Sequence, residues 1–159
     1  DGASLVGARL DGARLDGASL DGARLVGASL DGASLVGARL DGASLVGARL
    51  DGARLDGASL VGARLDGALV RGEKVSRLLA SANRLADPYT FYAFELASGG
   101  VKVLAGCRWF TIPEYRAHVA GCYADTPKGF ETLDILDFFE VRCRRLDAPL
   151  EPPIAAEAA

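Results

Sequence analysis

Residues 1–70 are one five-residue unit written fourteen times almost without error, and that repetition leaves few folds open. Each unit reads Asp/Val-Gly-Ala-Ser/Arg-Leu, from Asp1-Gly2-Ala3-Ser4-Leu5 to Asp66-Gly67-Ala68-Leu69-Val70. A period of five matches neither the helix, at about 3.6, nor the strand, at about 2. Divided, the unit makes sense. Ala and Leu sit two apart and share one face of a short strand, while Ser or Arg points to the other. The next pair, Asp-Gly or Val-Gly, turns the chain. In Leu5-Val6-Gly7-Ala8 the Gly holds the third turn position, where a type II turn needs positive φ. Val at the second position suits the extended geometry of that turn. Repeated, strand and corner wind into a solenoid with Ala and Leu inside. The expected core is the ladder Leu5, Leu10, Leu15, Leu20, Leu25, Leu30, Leu35, Leu40, Leu45 and Leu50.

The Ser/Arg position sets the length of one lap. Stacked coils place residues about 4.8 Å apart in register, where Arg over Arg is unfavourable. A lap of fifteen residues stacks Arg9 on Arg24, Arg24 on Arg39 and Arg39 on Arg54. A lap of twenty makes every stacked pair mixed, as in Ser4–Arg24–Ser44–Arg64. Charge therefore favours four units per coil.

These residues carry a family resemblance. The unit resembles that of the pentapeptide-repeat proteins, whose pattern is close to Ala-(polar)-Leu-x-Gly, and the likeness covers residues 1–70. It implies a right-handed quadrilateral parallel β-helix with the central Leu and the preceding Ala inward. No Phe occupies the central position here, so uniform Leu ladders and a slim rod are expected, on the order of 17 Å tall.

A twenty-residue lap puts Val6, Val26 and Val46 on one corner as a candidate docking ladder. Asp1–Asp21–Asp41 and Asp11–Asp31–Asp51 flank it, and Asp16–Val36–Asp56 is mixed. Because Val and Asp both suit the turn slot, drift in composition explains the same columns without any partner.

Beyond residue 72 the repeat decays. The expected order is a last strand over Lys74–Leu79 and a polar connection over Ser81–Asp87. A hairpin follows, from Tyr89–Leu96 through Ala97-Ser98-Gly99-Gly100 into Val101–Phe110. Thr111 and Glu114 form a capping box before one helix, and Thr126-Pro127 opens a second. On the second, Phe130, Leu133, Leu136 and Phe139 or Val141 are assigned to one buried side. The overall expectation is a mainly β chain: a β-helix over 1–72, an α+β cap of hairpin and two helices over 73–147, and a disordered tail over 148–159. Phe94, Trp109, Phe110 and Phe130 are its expected anchors, covering the open end of the last coil. The stretch Ala105–Thr111 resembles a C-terminal module that follows pentapeptide repeats in bacterial and phage proteins.

Composition narrows the function. A net charge of −3 argues against a nucleic-acid binder. No apolar run approaches the roughly 20 residues of a membrane span, and no secretion signal opens the chain. Met is absent, so Asp1 reads as the start of a processed product or of a segment of a longer repeat. Three Cys outside the repeat point to reduced thiols and a cytoplasmic setting. Cys107, His118, Cys122 and Cys143 are zinc-ligand types, but their spacing matches no compact zinc signature. Cys107 or Cys122 with His118 lacks any motif framing a nucleophile and base. No catalytic constellation, phosphate loop or dinucleotide fingerprint is present, so no enzyme, cofactor or small-molecule substrate is expected.

The reading is a scaffold that binds a protein partner or self-associates, through its cap or its open first coil. The alternative is implied by the resemblance: some pentapeptide-repeat proteins mimic duplex DNA and bind type II topoisomerases such as gyrase. That role needs a strongly negative rod, and here seven Arg offset nine Asp in the repeat.

Overall fold

The computed structural model describes residues 2–87, 89–148 and 150. In the repeat region, parallel bridges join residues at a constant offset of twenty: Ser4 to Arg24, Arg24 to Ser44, Ser44 to Arg64, and likewise for the other three Ser/Arg positions of the lap. Four units thus separate vertically paired residues, and each of these Arg side chains lies over Ser. The result is a β-helix. Its rungs are bonded in both directions: Leu40 N–H donates to Ser59 O at 2.8 Å, and Arg39 N–H to Ala18 O at 2.9 Å.

The corners close as the unit requires. Ala38 N–H donates to Leu35 O at 3.0 Å across each Val/Asp-Gly pair, and Gly37 sits at φ +66°. Nothing lies within 4 Å of the place a Gly37 side chain would occupy. Steric room is therefore not what demands glycine there; the left-handed backbone is. Gly37→Ala is expected to cost roughly 1–2 kcal/mol, read as a lowered denaturant midpoint with an unchanged slope. An unchanged midpoint would show that the corner relaxes freely.

Inside the coil, Ala23, Leu25, Ala28, Leu30, Leu35, Leu40, Leu45 and Leu50 are buried, and Leu20 is nearly so. Leu5, Leu10 and Leu15 are only half-buried, packed against this cluster from one side.

The repeat passes into a five-stranded antiparallel meander: β1 Leu69–Val70, β2 Glu73–Asn83, β3 Thr90–Leu96, β4 Val101–Ala105 and β5 Arg108–Thr111. Two helices follow, α1 Ile112–Cys122 and α2 Pro127–Arg145. Strand alternation makes β3 the middle layer. Tyr92, Phe94 and Leu96 join the β-helix core, whereas Phe91 and Ala93 join a second core with the helices. The Tyr92 hydroxyl lies 2.7 Å from Leu55 O and 2.6 Å from Ala58 O and donates into them. Thr90 Oγ1 accepts from Gly57 N–H at 3.1 Å. Both satisfy backbone groups of the last coil that have no further rung to meet. Burial pushes the Tyr92 hydroxyl well above the ordinary tyrosine range, so it remains a donor.

Several boundaries differ from expectation. β2 runs on to Asn83, through what reads in the sequence as a polar connection, because past two bulges Ala80–Asn83 pairs in continuous register with Thr90–Ala93. The expected strand Val101–Phe110 breaks at Gly106, whose φ of +57° folds β5 back onto β4. The expected hairpin is therefore part of a larger sheet. The assigned tail also begins too early: Ala148 is buried in the second core, its N–H donating to Cys143 O at 3.0 Å. Leu150 also packs against that core, and residues 149 and 151–159 of the tail lie outside the described residues.

Both helices are capped as their sequences require. Thr111 and Glu114 form a complete capping box, and Thr126 Oγ1 accepts from Gly129 N–H at 3.0 Å. The buried face of α2, however, is Gly129, Thr132, Leu136, Phe139 and Cys143, with Ile135 beside it. Phe130 is a correction: it is 57% exposed and anchors nothing. One residue along a helix is a rotation of about 100°, and the inward slot belongs to Gly129. A side chain at 129 would strike Tyr123 O at 2.1 Å and Ala124 O at 2.7 Å. Val141 is likewise exposed, and Leu133 is half-buried.

An ion pair made by the buried Arg84 with a partly exposed Asp87 ties the loop after β2 to α2. Arg84, 6% exposed, donates through Nε and Nη2 to both Asp87 oxygens at 2.8 and 2.6 Å, and through Nη1 to Thr132 Oγ1 at 2.9 Å. Its guanidinium lies over the Tyr89 and Phe91 rings. Glu131 accepts from the N–H groups of Leu85 and Ala86 in the same loop.

Candidate functional site

Two surfaces carry side chains in arrangements a partner could read: the corners of the β-helix and the outer face of α2.

At the corners, Asp and Val do different work. Asp21 Oδ1 accepts from the Asp41 N–H one lap on at 3.2 Å, and Asp31 does the same for Asp51 at 3.1 Å. Their second oxygens pair with the Arg two residues before that corner, Asp21 with Arg39 at 2.8 Å and Asp31 with Arg49 at 2.6 Å. Where Ser replaces Arg, its hydroxyl donates instead: Ser29 to Asp11, Ser34 to Asp16 and Ser59 to Asp41. The acidic columns are thus brackets between coils. The charge expected to flank the Val corner is largely spent on the fold. Once a lap of twenty is adopted, an Asp at one position and a Ser or Arg eighteen later signals this bracket. Asp56, in the last coil, has one buried oxygen without a hydrogen-bond partner among the described residues.

Val6, Val26 and Val46 occupy one corner column. Val6 is 51% exposed, whereas Val26 and Val46 are half-buried between neighbouring laps. A valine cannot bracket the corner N–H above it.

The remaining predicted residues fall on the lid. Phe94 is fully buried against the β-helix core. Trp109 packs 5.9 Å from Phe94, its indole N–H donating to Glu73. Phe110 faces the helices, 5.5 Å from Tyr115 and 5.6 Å from His118. Cys122 Sγ lies 3.5 Å from His118 Nδ1, while Cys143 is buried in the second core. Among the described residues no three His, Cys, Asp or Glu side chains converge as a metal ion would require. No helix among them is long and apolar enough to cross a membrane.

The outer face of α2 escaped the sequence reading. Phe130, Phe138 and Val141 are 57, 49 and 45% exposed. With Asp134 and Arg145 they fall at spacings of four, four, three and four, a single helical stripe. Beside Phe138 and Val141 a groove of about 330 Å³ runs between α2 and β2, floored by Leu79 and Ala80. Arg116 from α1 takes up Asp137 at 2.5 Å and Glu140 at 2.9 Å, and Arg144 joins Glu140 at 3.5 Å. Asp134, Arg142 and Arg145 have no ion pair among the described residues.

The molecule is therefore a β-helical repeat protein closed by an α+β lid. A family profile for pentapeptide repeats, in eight copies, matches residues 1–35 and 33–72, and this region belongs to the pentapeptide-repeat family. Proteins of the family are in general scaffold and interaction repeat proteins. Among solved structures, a pentapeptide-repeat protein of the Arabidopsis thaliana thylakoid lumen is 32% identical over 43% of this chain and 47% of its own, with TM-score 0.42. HetL, involved in heterocyst differentiation regulation in Nostoc sp. strain PCC 7120, is 40% identical over 45% of this chain and 38% of its own, with TM-score 0.29. Rfr23 from Cyanothece 51142 is 36% identical over 42% and 49%, with TM-score 0.29. The chain spans half or less of the length of these proteins. No curated protein matches it.

Proposed function

We propose that this chain is an interaction scaffold: a right-handed, four-walled β-helix serving as a rigid rod, paired with a second copy through α2 of its lid. The observation that carries the reading is the order of charge and apolar groups along the outer stripe of α2. Asp134 lies toward its start, Phe138 at its centre, and Arg142 and Arg145 at its end, and none of the three charges is satisfied within the described chain. A two-fold axis through Phe138 sets two such helices antiparallel. Asp134 then faces Arg142 of the second copy, twice by symmetry, and the two Phe138 rings meet beside their grooves. Removing exposed aromatic surface from water supplies the drive, and the crossed charges fix the direction.

Sedimentation or light scattering over a range of concentrations is expected to show a monomer–dimer equilibrium. Phe138→Asp is expected to leave a monomer at every concentration with the circular dichroism spectrum unchanged. Asp134→Arg is expected to weaken pairing, and Asp134→Arg with Arg142→Asp to restore it. A wild type that stays monomeric, or a Phe138→Asp variant that still pairs, overturns the proposal. The Val6–Val26–Val46 corner is then the surface left for a different protein partner.

A further inference from the structure

We infer that the cleft among the β4–β5 turn, α1 and the loop after β2 binds a small phosphate-type oxyanion. The cleft holds about 130 Å³, and its wall is unusual in what it lacks. Arg84, Arg108 and Lys128 line it, together with His118, Tyr115 and Tyr123, and no carboxylate faces the opening. Asp87 sits behind this wall, taking up Arg84 and lying 3.0 Å from Lys128. One carboxylate is thus set against three cations.

Arg108 has no ion pair or hydrogen bond from its side chain among the described residues, although it stands at the mouth of the cleft. Tyr115 is the second, independent mark. It is 3% exposed, packs its ring on Phe91 at 5.6 Å and Phe110 at 5.5 Å, and makes no hydrogen bond among the described residues. A hydroxyl without a partner, on a buried side chain that lines a cleft, is a donor open to an acceptor. Burial raises the Tyr115 hydroxyl far above its ordinary value, which keeps that proton in place. Burial and the Arg108 charge hold His118 below its ordinary value, so the cleft's positive charge near neutral pH comes from the Arg and Lys side chains. Lys128 is also held over Tyr89 and Tyr123, within 5.9 and 5.5 Å of the ring centres, so its position is set before anything binds.

The volume admits a tetrahedral oxyanion and little more. Guanidinium and ammonium donors with a phenol hydroxyl supply the charge-assisted bonds that such a group needs.

The probes are inorganic phosphate and phosphoserine, titrated into the full chain by calorimetry at constant ionic strength. The first reports a free anion and the second an esterified one. Saturable binding of either, at one site per chain, is expected. Arg108→Gln and Tyr115→Phe are each expected to weaken it roughly tenfold, with the thermal midpoint of the unliganded protein little changed. Arg64→Gln, which removes the same charge from the β-helix surface, is expected to leave it unaltered. The inference is overturned if neither probe saturates, or if Arg64→Gln weakens binding as much as Arg108→Gln does.

Discussion

Asp87→Ala is expected to remove about 3–5 kcal/mol of stability, because it strands Arg84 inside the protein. The guanidinium has few alternatives there. Without Asp87 it retains Thr132 Oγ1 and the faces of Tyr89 and Phe91. None of these carries a full negative charge. Lys128 loses the same partner but is 43% exposed, so its share of the effect is small.

The contrast that tests the cause is a double variant. Arg84→Met with Asp87→Ala removes both charges and fills the space, and it is expected to recover much of the loss. The pH dependence gives a second handle. Burial pushes the Asp87 carboxyl up, but the bonds and charges of Arg84 and Lys128 outweigh it and hold it below the ordinary carboxylate value. The unfolded chain therefore takes up this proton first as pH falls. The stabilisation is complete above the unfolded value and is lost as pH falls through the lowered folded one. Urea unfolding followed by Trp109 fluorescence is expected to show the full deficit of Asp87→Ala at pH 7, and a smaller one in strong acid. A deficit independent of pH would mean that lost packing, not the ion pair, is responsible.

This cluster also shows where the sequence stops being readable. Arg84 and Asp87 are three apart, and that much is visible in the chain. Thr132 is 48 residues away, and no local pattern points to it. The coil is the opposite case. Every contact that fixes its period repeats at each unit, and the Ser/Arg order records which residues may stack. A lap of twenty can be read from charge alone. The corner Asp brackets were within reach of the same arithmetic, but needed the lap length first.

In the lid, caps were legible because they are local: Thr111 needs only Glu114. Faces were not. On α2 the expected buried side of Phe130, Leu133, Leu136 and Phe139 and the observed one through Gly129 both include Leu136 and Phe139. Hydrophobicity favours the Phe stripe. The fold uses the other, because Gly129 alone lets α2 approach the Tyr123 and Ala124 carbonyls and Thr132 is claimed by Arg84. Both reasons are tertiary. The break at Gly106 is of the same kind. Gly106 marks a weak point in a run otherwise rich in Val, Leu, Trp and Phe, but one Gly alone does not say that β5 must turn back to pair with β4.

Leu40→Ala should be the most costly single truncation in the coil, at about 3–5 kcal/mol. Such a cost has two parts, lost transfer of the apolar group and the cavity left behind. The second depends on how far the surroundings can close in. Here they can scarcely move. Leu40 stacks between Leu20 and Leu60 in a column fixed by the twenty-residue bridges. The wall on either side is held by Leu40 N–H to Ser59 O at 2.8 Å and Ala43 N–H to Leu40 O at 3.0 Å. Collapse would stretch that ladder, and the neighbouring inward residues are Ala and Leu with no spare length to reach across.

Leu10 provides the internal control. Its corner closes in the same way, Ala13 N–H to Leu10 O at 3.0 Å, but it is half-buried and packs against the core. Leu10→Ala is therefore expected to lose the transfer part without a closed cavity, at roughly half the cost or less. Chemical denaturation of both variants, with Leu30→Ala as a second interior site, measures the difference. If the interior column explains the rod's stability, Leu40→Ala and Leu30→Ala fall together and Leu10→Ala stands apart. Three equal losses would show that enclosure of the cavity adds nothing to the cost.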